Sequence, residues 1–316
     1  MEKTVIKSST FNKNRREAAL RSVKRNWVLY LFVLPLLVYF IMFHIIPLYG
    51  LQIAFQNFKP AKGFSGSAWV GLKYFEKFVT SLNFWQLMRN TLTLSLYSLL
   101  LNFPFAILLA LVINYTPCMK LKKLTQTVSY APHFVSTVVL VGMLNVFLMP
   151  GSGVVNALLG KIGIGPINFL GDSSLFPHVY AWSGLWSHCG YNAILYIAAL
   201  TSISPELHEA ATVDGANKLQ RIWHIDLPAI APTAITLLIM NCGNILNVGF
   251  EKAYLMQAAS NLPTSEIIST YVYKIGLLNT QYSYAAAIGM FNNVINCIVL
   301  LIVNYIADKT SGSGLW

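Results

Sequence analysis

Amide and indole side chains inside apolar stretches are the residues of this sequence best suited to bind a ligand. Asn amides donate and accept hydrogen bonds, and an aromatic face packs well against a sugar ring. These stretches contain no acidic residue, and their one basic residue, Arg89, lies at the edge of a stretch, so the pattern favours a neutral or weakly charged saccharide on a transport path. The alternative is that each Asn only joins transmembrane helices, which contributes roughly 0.6–2 kcal/mol per residue. The candidates are Trp182, Trp186, Asn192, Asn241, Asn244, Asn247, Asn292 and Asn296.

A second group of candidates lies in residues 204–228, a polar segment between two apolar stretches. Ser204, followed by Pro and Glu, predicts a helix start at which the Ser hydroxyl caps free N–H groups. Gly215 interrupts the helix with a residue that tolerates positive φ, and residues 216–225 restart it. Pro228 is expected to end it. The segment is therefore predicted to be a helix–bend–helix hairpin beside a membrane.

The hairpin carries a spaced motif: Glu-Ala-Ala, three residues, Gly, nine residues, then Ile-x-Leu-Pro. This motif resembles the EAA loop of binding-protein-dependent ABC importer permeases. In that family the loop is a coupling helix that sits in a cleft of a cytoplasmic ATPase. The alternative is that the segment is only an amphipathic connector between two apolar stretches. Such a connector does not require these residue types at this spacing. The resemblance implies ATPase-coupling roles for Glu209, Ala210, Ala211, Asp214, Gly215, Ile225, Leu227 and Pro228.

The resemblance extends along essentially the whole chain. Several short segments are similar to those of maltose-permease-like sugar permeases, in particular the permeases of polysaccharide or lipoprotein uptake systems. These segments are residues 42–47, 69–75, 128–134, 250–252 and 313–316. The resemblance implies a type I ABC importer transmembrane domain that imports an oligosaccharide or polysaccharide fragment. The implied partners are a second permease subunit, expected to be a homologous but different chain, two ATPase subunits, and an extracellular solute-binding protein, expected to be a lipoprotein. ATP and Mg would bind to the ATPase subunits, and this chain would carry no cofactor.

Composition independently indicates a membrane protein. Hydrophobic residues make up 55% of the 316 residues, only 10% are charged, and the mean hydropathy is +0.57. Soluble domains carry about 25% charged residues. The net charge of +11 would suggest nucleic acid binding in a soluble protein. Here the basic residues cluster at the N-terminus and beside apolar stretches, so we interpret them as topology signals facing anionic lipid.

Six apolar stretches approach the roughly 20 residues that a bilayer requires. They are residues 27–46, 89–113, 128–149, 178–200, 229–249 and 284–307. The predicted fold is an all-α membrane protein with six transmembrane helices and a cytoplasmic coupling hairpin.

The expected organisation is a basic cytoplasmic segment at 1–26, a permease domain at 27–307 that includes the hairpin 204–228, and a short cytoplasmic tail at 308–316. This orientation puts 14 of the 22 Lys and Arg residues on the cytoplasmic side of a bacterial cell membrane, as the positive-inside rule requires.

Other classes of function lack their signatures. The sequence has no GxxxxGK[ST] loop for nucleotide phosphates and no Ser/His/Asp or paired-carboxylate constellation, so an enzyme is not expected. The four Cys residues are scattered, which supports neither a disulfide framework nor a metal site. The second hypothesis is an ion-gradient-driven secondary transporter. It would predict charged residues within the spans and an inverted repeat, and the spans contain no acidic residue.

Overall fold

The computed structural model describes residues 25–316, and the predicted basic segment 1–26 falls almost wholly outside that range. The chain divides after Ile53 into two compact units. The described part of the first unit is a run of helix. It contains α1 (Trp27–Phe40), a π-helical turn at Ile41–Ile45, a short helix at Ile46–Leu48 and most of the 3-10 segment Tyr49–Phe55, whose last two residues belong to the second unit. None of the side chains of α1 is buried, which suits a helix in contact with lipid.

The second unit opens with a short ordered segment instead of a plain loop. Strands β1 (Gln56–Asn57) and β2 (Ala68–Trp69) pair in antiparallel fashion, with Gln56 opposite Trp69. Helix α2 (Lys73–Val79) follows and packs against the C-terminal helix. The long helix α3 (Phe84–Tyr115) then covers the predicted span 89–113 and extends it at both ends.

The predicted span 128–149 is built from two helices that meet at a sharp bend, so it is not one straight helix. Helix α4 (Met119–Tyr130) continues as a 3-10 turn, and α5 (Thr137–Phe147) leaves it at an angle of 97°. The chain is extended at Val135, and the hydroxyl of Ser136 accepts a hydrogen bond from the Val139 N–H at 3.3 Å. A new helix therefore starts at an N-cap that hydropathy alone does not detect.

Helix α6 (Val154–Lys161) and the 26-residue helix α7 (Phe176–Thr201) complete the middle of the unit. Helix α7 packs along α3 through small and aliphatic side chains, and it also contacts α4. At Gly190 the two chains approach so closely that an added Cβ would collide with the backbone carbonyl of Ser129. Glycine is therefore required at this crossing of α4 and α7.

The hairpin consists of α8 (Pro205–Val213) and α9 (Lys218–Arg221). A π-helical turn at Ile222–Asp226 leads from α9 directly into α10 (Leu227–Cys242). Two expectations are corrected here. The side chain of Ser204 makes no capping hydrogen bond, and the exposed first turn of α8 can be solvated by water instead. Pro228 does not end a helix, because it lies in the first turn of α10, where no N–H donor is needed.

The predicted span 229–249 is shorter as a helix than expected. Helix α10 ends at Cys242, and residues 243–249 are turns and irregular chain. Non-helical backbone at membrane depth is tolerated where it lines a polar cavity. The predicted loop after it contains three short helices, α11 (Phe250–Leu255), α12 (Leu262–Ser265) and α13 (Ile268–Tyr273), and a π-helical turn at Lys274–Leu278. The last helix, α14 (Tyr282–Ser311), packs on α10 and α2.

Four helical segments within residues 25–316 are long and apolar enough to span a membrane, and the bent pair α4–α5 would add a fifth. They are Trp27–Phe55, Phe84–Tyr115, Lys218–Cys242 and Tyr282–Ser311. Helix α7, which covers the predicted span 178–200, is not among them. At 1.5 Å per residue it is roughly 39 Å long, but Ser, His and Asn side chains interrupt its apolar sequence. The count of six spans stays a prediction.

Candidate functional site

The hairpin is held in shape by contacts between and within its two arms. Gly215 has φ of +80°, which confirms the predicted bend at a residue that can adopt positive φ. After it, Asn217 and Gln220 form a reciprocal capping box, with hydrogen bonds of 2.8 and 2.9 Å between side chain and backbone. The guanidinium of Arg221 donates to the Thr212 hydroxyl at 3.0 Å and joins the second arm to the first. The bend is therefore a defined structure.

The motif residues lie mostly on the outside of this hairpin. Glu209, Ala210, Asp214, Gly215 and Pro228 are exposed, and Ala211, Ile225 and Leu227 are half-buried. A cavity of about 330 Å³ is lined by residues from both arms, including Ala211, Asp214, Gly215 and Ile225. Four large apolar side chains are also exposed on the hairpin: Leu207, Val213, Leu219 and Trp223. The exposed surface thus combines small motif residues with unpartnered apolar groups.

A buried carboxylate joins the hairpin to the helix bundle. Asp226 is fully buried where the π-helical turn meets α10, and Tyr115 at the end of α3 donates a hydrogen bond to its Oδ2 at 2.6 Å. The Nε2 of His208, on α8, lies 3.3 Å from its Oδ1. One carboxylate therefore joins its own π-helical turn to two other elements, α3 and α8. Sequence analysis missed this group, although an acidic residue between the Ile and Leu of the motif is a signal that could have pointed to it.

A polar cavity of about 770 Å³ opens among α3, α5, α7, α10 and α11. Four of the predicted path residues line it: Asn192, Asn241, Asn244 and Asn247. The Nδ2 groups of Asn241 and Asn244 donate to backbone carbonyls four residues earlier in the chain, at 2.8 and 3.2 Å. Asn244 and Asn247 stand on the non-helical segment after α10. The cavity wall therefore carries several neutral hydrogen-bonding groups.

Two other predicted path residues are buried between helices instead. Asn292 donates to the Oδ1 of Asn247 at 2.7 Å, and the Oδ1 of Asn296 accepts the backbone N–H of Leu246 at 3.0 Å. Neither residue is among those that line the polar cavity. Both side chains hold the non-helical segment against α14, which is the helix-joining role considered as the alternative.

The two predicted Trp residues lie on a different face of α7. Trp182 and Trp186 are half-exposed and line a second cavity of about 590 Å³, whose wall is almost entirely apolar and includes Leu140, Phe147 and Phe169. The structure therefore does not bring them together with the four Asn residues, and we leave them out of the proposed path.

Residues that the sequence analysis assigned to no site complete the polar cavity. Lys252, on α11, is 8% exposed, and its Nζ donates to the carbonyl of Tyr180 at 2.7 Å. His133 and His188 also line the cavity, and the ring of His133 stacks on Tyr191 with centroids 3.9 Å apart. Lys252 lies outside the predicted spans, and burial lowers the pKa of its ammonium group from the ordinary value to about 7.

Cofactor ligands do not come together in the described chain. Within residues 25–316 there is no group of three or more His, Cys, Asp or Glu side chains that could hold a metal ion. The two features considered for function are an exposed, anchored hairpin and a polar cavity in the helix bundle.

Comparison with known proteins identifies relatives over nearly the whole chain. Two proteins of Bacillus subtilis (strain 168) are each 40% identical to this chain. The polygalacturonan/rhamnogalacturonan transport system permease protein YteP matches over 97% of this chain and 95% of its own length, and Protein LplB over 94% and 93%. The chain also resembles a subunit in the crystal structure of a bacterial ABC transporter involved in the import of the acidic polysaccharide alginate. The identity is 39% and the TM-score 0.86, over 92% of this chain and 99% of that one.

The family described as binding-protein-dependent transport system inner membrane component matches residues 91–312, which include the hairpin, the cavity and α14. This match covers well over half of the chain, and the two Bacillus relatives cover nearly all of it. The chain therefore belongs to the family of inner-membrane components of binding-protein-dependent transport systems.

Proposed function

We propose that this chain is the permease subunit of an ABC importer that takes up an oligosaccharide or polysaccharide fragment. The observation that carries the proposal is the hairpin of α8 and α9, which exposes the motif residues and is joined to the helix bundle through Asp226. Membership of a binding-protein-dependent transport family makes it a transport subunit, not an enzyme. An ion-gradient-driven transporter would need neither this hairpin nor a binding protein.

The hairpin surface suits a protein partner. Leu207, Val213, Leu219 and Trp223 expose apolar area that would be stabilised by burial in a cleft. Ala210 is exposed beside them, so a partner helix or loop can approach the backbone closely there. We infer that the cleft belongs to a cytoplasmic ATPase subunit, one of two that bind ATP and Mg. Closure of that pair would push the hairpin, and the contact at Asp226 would pass the movement to α3 and α10.

The polar cavity suits a saccharide. Amide groups of Asn192, Asn241, Asn244 and Asn247 offer donors and acceptors that match sugar hydroxyls. A cavity of about 770 Å³ falls within the roughly 300–1,000 Å³ usual for small-molecule sites. The relatives support a saccharide substrate. One relative is named for polygalacturonan and rhamnogalacturonan transport, and the similar solved structure is that of an alginate importer.

The proposed assembly contains further chains. A second structure of the alginate transporter, also at TM-score 0.86, holds a periplasmic protein bound to an alginate pentasaccharide. We propose the same arrangement here: an extracellular binding protein, a second permease subunit that is homologous but different, and two ATPase subunits. The hairpin and both termini would lie in the cytoplasm of a bacterial cell.

Ala210→Leu tests the hairpin as the coupling element. A larger side chain on a tightly packed interface typically costs about 1–3 kcal/mol, which is comparable to the whole coupling free energy of many allosteric proteins. We expect Ala210→Leu to leave the protein inserted but to abolish stimulation of ATP hydrolysis by the liganded binding protein. The measurement is ATPase activity of the reconstituted complex in liposomes, with and without that protein.

The matched control is Ala210→Ser, which adds a single oxygen atom at the same exposed position. It should keep most of the stimulated hydrolysis. Full stimulation and normal sugar uptake by the Leu variant would show that the hairpin is only a connector, and the proposed function would lose its main support.

A further inference from the structure

Lys252 is a buried lysine whose side chain lines the polar cavity. Its Nζ donates to the carbonyl of Tyr180 and lies 4.5 Å from the centroid of the Tyr180 ring. Both contacts are with neutral groups. The ion pairs among residues 25–316 are those of His208 with Asp226 and of Lys274 with Glu266, so no described carboxylate neutralises Lys252.

A buried charge is costly unless an opposite charge or several hydrogen bonds compensate it. An ammonium group has three donors, and one described acceptor, the Tyr180 carbonyl, takes one of them. The ring face of Tyr180 adds a weaker attraction. Lys252 therefore retains unused donor capacity, and an anion entering the cavity would favour the charged form of its amine.

The other charged and titratable groups of the cavity do not remove this capacity. Glu251 lines the same cavity, but its side chain is exposed, so solvent screens its carboxylate. His133 and His188 carry either no charge or positive charge, and neither state repels an anion. The Asn side chains are neutral. Lys252 is thus the lysine that lines this cavity. It is the group best placed to distinguish an acidic sugar from a neutral one.

We propose that Lys252 determines specificity for an anionic saccharide, by donating a charge-assisted hydrogen bond to the carboxylate of a uronic acid residue in the cavity. This inference rests on the proposed function and refines the sequence-based expectation of a neutral or weakly charged sugar. That expectation considered only charges within the predicted spans. Lys252 belongs to the segment between two spans and reaches the cavity because α11 packs against α5 and α7.

The test uses two probes with the same sugar backbone, trigalacturonate and its fully methyl-esterified form, in which each negative charge is replaced by a neutral methyl ester. Binding is measured by calorimetry on the purified complex of permease and ATPase subunits. The binding protein is omitted, so its own preference does not enter. One charge-assisted hydrogen bond in a desolvated site corresponds to about a tenfold difference in affinity or more. Wild type should therefore bind the acid at least about tenfold more tightly than the ester.

The variants separate charge from shape. Lys252→Met keeps a long apolar side chain and should abolish the preference by weakening binding of the acid alone. Lys252→Arg keeps the charge and should retain the preference. Glu251→Gln, which removes the neighbouring charge on the same wall, is the matched control and should also retain it.

Equal binding of the two probes to wild type would overturn the proposal without any variant, and so would failure of both probes to bind. A preference that survives in Lys252→Met would do the same. If hairpin-dependent ATPase coupling is intact in that case, the proposed function stands and only the role of Lys252 is lost.

Discussion

At the scale of single residues, Asp226 shows how one side chain can serve both stability and coupling. A fully buried carboxylate is tolerated only when other groups compensate its charge. The hydroxyl of Tyr115 lies 2.6 Å from one carboxylate oxygen of Asp226, and the imidazole Nε2 of His208 lies 3.3 Å from the other. Because these partners come from α3 and α8, any movement of the hairpin must either carry α3 along or break the contact.

Tyr115→Phe should destabilise this junction. It removes the donor while Asp226 stays buried, and a lost hydrogen bond to a charged group typically costs about 1–3 kcal/mol. We expect the free energy of unfolding in detergent to fall by that amount. Tyr305→Phe is the control, because Tyr305 is exposed on α14. Equal stability of the two variants would mean that the Tyr115 hydroxyl contributes nothing to the junction.

At the scale of elements, the crossing of α4 and α7 determines where the polar cavity lies. Gly190 of α7 lies against the backbone of α4, just before α4 ends and the chain turns by 97° into α5. Close backbone approach through small residues is a common way for helices to associate in membranes. The turn brings His133 and Ser136 to the cavity wall, opposite the residues of α10 and α11.

Gly190→Ala should therefore disrupt the packing of α4 on α7. The added methyl group collides with the Ser129 carbonyl, and overpacking of this kind typically costs about 1–3 kcal/mol. Gly289→Ala is the matched control, since an added Cβ there meets no atom within 4 Å. That variant should be neutral or stabilised by up to about 1 kcal/mol, because Ala favours helix over Gly. Thermal unfolding of both purified variants is the measurement, and equal melting temperatures would contradict the close contact.

At the scale of the whole molecule, the proposed function requires the hairpin to lie on the opposite side of the membrane from the segment around β1 and β2. Basic residues concentrate at 1–26 and at 120–123, which favours a cytoplasmic location for those segments. The hairpin follows an even number of predicted spans after the N-terminus. It would therefore share the cytoplasmic side with them.

Cysteine labelling of intact cells tests this topology. With Cys118, Cys189, Cys242 and Cys297 replaced, single Cys residues are introduced at Ser65 and Lys218, both of which are exposed. An impermeant thiol reagent should label position 65 and should reach position 218 only after the cells are permeabilised. Ready labelling of position 218 in intact cells, with none at position 65, would reverse the topology and contradict cytoplasmic coupling.

Local features were predictable from the sequence. The bend at Gly215 was predictable, because the ability to adopt positive φ depends on the residue itself. The positions of α3 and α14 were predicted from long apolar stretches. Such stretches are typical of membrane helices, which satisfy their backbone hydrogen bonds internally. The spacing of the hairpin motif pointed to the transport family, which the comparisons confirm. Each of these signals lies within one continuous stretch of sequence, so it can be recognised without knowing how distant parts of the chain pack.

Contacts between elements were decided only by the tertiary structure. Asp226 and Tyr115 are 111 residues apart, and Lys252 and Tyr180 are 72 apart, so no sequence window contains either pair. Hydropathy also could not tell which Asn residues face the cavity, because a helix in lipid is apolar on most faces and the amphipathic pattern of soluble helices is weak. In the structure Asn241 lines the cavity, whereas Asn296 joins the non-helical segment to α14. In the sequence the two residues could not be distinguished, because each is an Asn within an apolar stretch. The reason is physical: a side chain's neighbours are set by packing between helices, not by its own span.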